Sequence, residues 1–106
     1  MISKHISDKE GVYSITATRL GLDNKPSQFE LANMKELAEQ IFEPLREWVS
    51  GPIRINSFYR GKALNKAIGG STSSQHCKGQ AMDIDDRGCK KTNAEMYKWI
   101  KENLDF

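Results

Sequence analysis

A histidine and, a few residues later, an aspartate are the side chains of this sequence best placed to do chemistry: His76 and Asp83. A neutral imidazole and a carboxylate are both ordinary zinc ligands. A catalytic zinc takes three protein ligands and keeps one position open for water, whose pKa it lowers toward ~7 while it polarises a carbonyl. The pair lies in the stretch Ser74-Gln75-His76-Cys77-Lys78-Gly79-Gln80-Ala81-Met82-Asp83-Ile84-Asp85. Residues 80–85 alternate, so Ala81, Asp83 and Asp85 share one face and Met82 and Ile84 the other. This pattern suits a half-buried strand, with Gly79 permitting a turn or close backbone approach before it and His76 at its mouth. Asp85 is either an acceptor behind a ligand or a solvated strand end. Spacing alone also fits a surface histidine followed by a solvated acidic strand.

The elements that must hold this stretch can be read around it. Residues 27–49 form the clearest helix. Ser27 and Glu30 make a capping box, and Phe29, Met34, Leu37, Ala38, Ile41, Leu45, Trp48 and Val49 recur as an apolar stripe. Pro44 should kink its last turns, and Ser50-Gly51-Pro52 ends it. Residues 53–57 read as a short strand, β-branched at Ile53 and Ile55. A short helix is expected over 61–68 and a flexible Gly/Ser connection over 69–74. Asp86-Arg87-Gly88 turns the chain. Thr92 and Glu95 cap a last helix that buries Met96, Trp99, Ile100 and Leu104. Residues 1–25 read as an irregular arm, with one helical turn capped by Ser7 and Glu10 and stopped by Gly11. Residues 15–22 read as a loop or short turn, and 23–26 as a turn. Helix, strand, strand, helix predicts one α+β domain over residues 1–106.

Composition sets outer bounds. The 106 residues suffice for one compact domain. Net charge is +2 with both signs mixed, which does not supply the clustered basic face that nucleic acid requires. No apolar run reaches transmembrane length, and the polar first ten residues show no secretory signal. Cys77 and Cys89 make no disulfide framework, and Cys77 reads as packing rather than as a ligand beside His76.

The pattern Ser74-x-His76-x-x-Gly79-x-Ala81-x-Asp83 resembles the S-x-H-x-x-G-x-A-x-D signature of zinc D-Ala-D-Ala carboxypeptidase-like metallopeptidases. These act on peptidoglycan peptides, and their metal site is similar to those of lysostaphin-type peptidases and the hedgehog amino-terminal domain. A second block agrees: Ile53-Arg54-Ile55-Asn56-Ser57-Phe58-Tyr59-Arg60, then Ala63-Leu64-Asn65 and Gly69-Gly70, is similar to the family's strand, S-x-Y-R and L-N-x-x-x-G-G elements. The resemblance covers residues 16–106. It implies a small, mainly antiparallel sheet with flanking helices and zinc on one face, bound by His76 and Asp83. It also implies that Arg60 stands beside the scissile bond or grips a substrate carboxylate, where a fixed guanidinium can hold a carboxylate with two bonds or stabilise an oxyanion. Ser74 would hydrogen-bond substrate, and Gln75 would reach substrate or orient His76. Tyr59 reads as packing.

The sequence departs from that pattern at one place. The family's third ligand is a histidine in a later segment, with the general base a few residues before it, and no such segment appears before Phe106. The other histidine, His5, lies in a context that does not match. The resemblance therefore leads us to expect a truncated peptidase, inactive or impaired, with an exposed sheet edge that favours self-association. The substrate would be a wall stem peptide, cut as by a carboxypeptidase, endopeptidase or endolysin. The missing signal favours a phage-type lysis route. The alternative is a non-catalytic binding module that keeps the fold.

Overall fold

The computed structural model describes residues 1–71 and 73–104. Thr72, within the expected flexible connection, and Asp105 and Phe106 lie outside the described residues. The architecture is α+β, with one two-stranded antiparallel sheet and six α-helices among the described residues.

One helical rod forms the backbone of the core. It runs without a break as α3 (Gln28–Leu37), a π-turn (Ala38–Phe42) and α4 (Glu43–Val49). Ser27 and Glu30 close the expected capping box. The π-turn explains what Pro44 does. Proline has no N–H for the Gln40 carbonyl and its ring would crowd that carbonyl. The chain widens by one residue instead, and the Glu43 N–H donates to Ala38 O. The wider turn re-phases the apolar stripe. Met34, Ala38, Phe42, Leu45 and Val49 are buried, whereas a uniform 3.6-residue period selects Ile41 over Phe42. Phe29, expected in the stripe, is exposed.

The amino-terminal residues are more ordered than an irregular arm. Ile2 and Ile6 are buried in the main core, and a bridge joins Ser3 to Ile6. The Ser7–Glu10 capping box starts α1 (Asp8–Val12). Gly11 does not stop this helix but lies inside it, where a Cβ would collide with Ile2 Cδ1 and press on Met34 Cε. The segment read as a loop is α2 (Ile15–Leu20), capped by Ser14. Its signal was weak because Ala17 alone is buried while Ile15 and Leu20 face outward. Asn24, in the expected turn, is buried and ties three segments together. Its amide donates to Val12 O and Tyr59 O, and its Oδ1 accepts from the Gly61 N–H.

The sheet pairs β1 (Arg54–Ser57) with β2 (Asp83–Asp85), in the register Arg54 with Asp85, Ile55 with Ile84 and Ser57 with Asp83. The register shifts between Ile55 and Ser57, so Asn56 forms a bulge. Helix α5 (Lys62–Ala67) follows β1, and α6 (Asn93–Asn103) closes the fold with Thr92 and Glu95 as its capping box. Trp99 of α6 stacks on Trp48 of α4 with centroids 5.2 Å apart, and Met96 is buried between the layers. Among the described residues no helix is long and apolar enough to cross a membrane.

Candidate metal centre

The strand that alternation suggested over 80–85 is shorter, Asp83–Asp85, and His76 sits ahead of it in a 3-10 turn, Gln75–Lys78, packed on α3. Three local features build that turn. Ser74 caps it, its Oγ accepting the His76 N–H at 3.2 Å. Asn33 of α3 donates to the Lys78 carbonyl at 2.9 Å. Gly79 then ends it at φ +74°, where a Cβ would lie 2.6 Å from Glu30 O and 2.7 Å from Met34 Cγ. Only glycine allows both the left-handed backbone and this approach to α3.

The turn buries His76 to 7 % exposure and fixes its ring. Nδ1 lies 2.7 Å from the Phe58 carbonyl oxygen. A carbonyl only accepts, so Nδ1 carries the proton and donates. Neutral His76 therefore presents a bare lone pair at Nε2. That atom lies 3.4 Å from Asp83 Oδ2. Two acceptors face each other there, and a proton or a metal cation between them relieves the repulsion. Zinc-ligating histidines commonly use this same backbone-carbonyl bond to hold the second nitrogen toward the ion. The donor set thus fits two zinc ligands, a buried oriented imidazole and an exposed carboxylate.

Among the described residues no group of three or more His, Cys, Asp or Glu side chains converges on one point. His5 is committed elsewhere: its Nδ1 lies 2.6 Å from Glu43 Oε1 and its backbone N–H donates to Oε2. Cys77 and Cys89 are unbridged, and the Cys89 thiol points at Met96 Sδ.

Arg60 joins the centre through the backbone, its N–H donating to His76 O at 3.1 Å. Its Nε is buried without a hydrogen-bond partner among the described residues. Its side chain lines a cleft of about 340 Å³ that also touches Ser57, the residue paired with Asp83. Gln75 is exposed and faces a different groove, with Gln40 and Gln80. A larger cavity, about 520 Å³, lies away from this chemistry, against Ile2, Val12, Ala17 and Leu22.

Asp85 is bound into the turn. It accepts from Asn56 Nδ2 at 2.7 Å and from the Arg87 N–H at 2.8 Å, and these bonds, led by Arg87, hold its carboxyl below the usual range. Tyr59 is buried beside the site and donates to Glu30 Oε1 at 3.1 Å. Burial, then the Glu30 carboxylate, push its hydroxyl up to about 12, so it stays neutral and packs, as its sequence context suggested. Sequence reasoning missed the Phe58 carbonyl and Asn33, because backbone acceptors and cross-chain tethers leave no mark in residue spacing.

The profile of the Peptidase M15 family matches residues 4–103. This chain belongs to the peptidase M15 family. M15 peptidases are metallopeptidases, generally zinc-dependent, whose substrates are related to peptidoglycan. The α+β fold with its antiparallel strand pair agrees with the M15 fold. No curated protein and no solved structure matches the chain at a significant level.

Proposed function

We propose that this M15 chain is a zinc-dependent peptidase-type domain for peptidoglycan stem peptides, with His76 and Asp83 as metal ligands. The observation that carries the reading is the facing pair of acceptors, Nε2 of His76 and Oδ2 of Asp83, 3.4 Å apart, with the imidazole locked by Phe58. Zinc bound there supplies Lewis acidity to a peptide carbonyl. The protein's own residues do the rest. His76 keeps its Nδ1 proton on Phe58 O and so offers Nε2 in one fixed direction. Arg60, with an unpartnered Nε at the head of the cleft, grips a substrate carboxylate or steadies charge that develops on the carbonyl oxygen. Ser74 holds the turn in place and lies close enough in sequence to offer its hydroxyl to substrate as well. D-Ala-D-Ala carboxypeptidase and wall endopeptidase activity are the two forms of the reaction this site suits.

The donor count among the described residues favours a second reading, a binding module that keeps the fold and holds metal weakly. Metal content of the purified protein separates the two. The peptidase reading expects about one zinc per chain, lost in His76→Ala and reduced in Asp83→Asn, with Arg60→Gln keeping the metal and losing stem-peptide hydrolysis. No zinc at micromolar metal, or equal zinc in His76→Ala, overturns it.

A further inference from the structure

The cleft beside Arg60 holds a second guanidinium that the hydrolytic reading does not use. Its lining includes Arg54, Ile55, Asn56 and Ser57 of β1, Tyr13 to Thr16, and Arg60. Successive strand residues point to opposite faces, so a cleft touching all four residues of β1 runs along the strand's edge rather than over one face. That edge is open. Among the described residues β1 pairs only with β2, and no backbone bond from another segment reaches residues 54–57. The charge is one-sided too: Arg54 and Arg60 line the cleft and no Asp or Glu does.

Arg54 is oriented from behind. Its Nε donates to Asn56 Oδ1 at 3.2 Å, and Asn56 Nδ2 in turn donates to Asp85 Oδ2. Asp85 is occupied by Asn56 and the Arg87 N–H, and among the described residues neither Arg54 nor Arg60 forms an ion pair.

We propose that this cleft takes an extended acidic peptide, added along the free edge of β1, and that Arg54 selects a carboxylate in it. Ser57, opposite Asp83, lies three residues from Arg54 across the Asn56 bulge, a span of two residues on β2 and roughly 7 Å at the usual rise. The selected carboxylate therefore sits about two residues from the bond presented to His76 and Asp83. Main-chain bonds supply affinity in this mode and the pockets beside the strand supply selectivity. The proposal rests on the peptidase reading only for the peptide's identity.

The test is binding, which does not need turnover. Two dye-labelled stem peptides, identical except that one side carboxylate is free or amidated, are titrated by fluorescence anisotropy. Wild type should bind the free acid about five- to tenfold more tightly, in a salt-sensitive way. Arg54→Gln should abolish the preference and Arg54→Lys should restore part of it, with circular dichroism unchanged because Arg54 is exposed. His76→Ala should keep the preference, so failure of the zinc reading does not touch this one. Equal affinity for the two peptides in wild type, or a preference that survives Arg54→Gln, overturns the proposal. So does a concentration-dependent dimer that blocks the peptides, which would make a second copy the occupant of the edge.

Discussion

The chain has two histidines, and each has its Nδ1 in a short hydrogen bond, with a carboxylate beside the ring. In the amino-terminal region His5 gives its Nδ1 proton to the carboxylate itself. Glu43 accepts from His5 Nδ1, the His5 N–H and the Ser3 hydroxyl, so both of its oxygens are engaged. The result is a clamp that holds the arm bearing Ile2 and Ile6 against the π-turn and α4 junction. In the site region His76 gives its Nδ1 proton to a neutral carbonyl, and the carboxylate faces the bare nitrogen. Asp83 Oδ2 lies 3.4 Å from that nitrogen. A histidine and a carboxylate thus make a closed structural contact in one place and a facing pair of acceptors in the other. What decides is whether the carboxylate or a backbone carbonyl takes the Nδ1 proton.

The largest break in this comparison should come from Gly79. Gly79→Ala places a methyl group against Glu30 O and Met34 in a left-handed backbone, and should cost about 3 kcal/mol or more. Chemical denaturation measures the loss. Zinc binding by the surviving folded fraction should fall with it, since the turn carrying His76 must leave α3.

Glu43→Ala tests the other region. It leaves Ser3 and the His5 groups without their acceptor and should destabilise by about 2 kcal/mol, read from the same denaturation curves. Zinc affinity should not change. A drop in zinc affinity would mean that the amino-terminal histidine is part of the metal site.

Acid should weaken the clamp. Burial raises the Glu43 carboxyl, but bonds from Ser3 and His5 outweigh this and hold it below its ordinary 4.5. Glu30 behaves alike, burial being outweighed by bonds from Ser27 and Tyr59. A carboxyl lowered in the folded state stabilises above its unfolded value and loses that contribution as pH falls through the folded one. The melting temperature should therefore hold from these groups down to pH 4.5 and fall below it, less steeply in Glu43→Gln.

Much of the scaffold was legible because it rests on local chemistry. The Ser7, Ser27 and Thr92 capping boxes formed as their spacing predicts, since each is closed within one turn. The convergence of His76 and Asp83 was legible through a motif. Its physical basis was not, since a 3-10 turn, a glycine pressed on α3 and the Phe58 carbonyl are tertiary facts. Phe42 took the place of Ile41 in the core because Pro44 widens the rod one turn earlier, which a uniform period cannot express. Helix α2 escaped notice because it buries a single alanine.

The most direct test of the central claim is nitrogen NMR of the two imidazoles during zinc titration. The account predicts that neutral His76 is protonated at Nδ1, that its Nε2 resonance alone moves to a metal-bound position, and that His5 does not respond. A His76 ring protonated at Nε2, or a zinc response from His5 with none from His76, would contradict it.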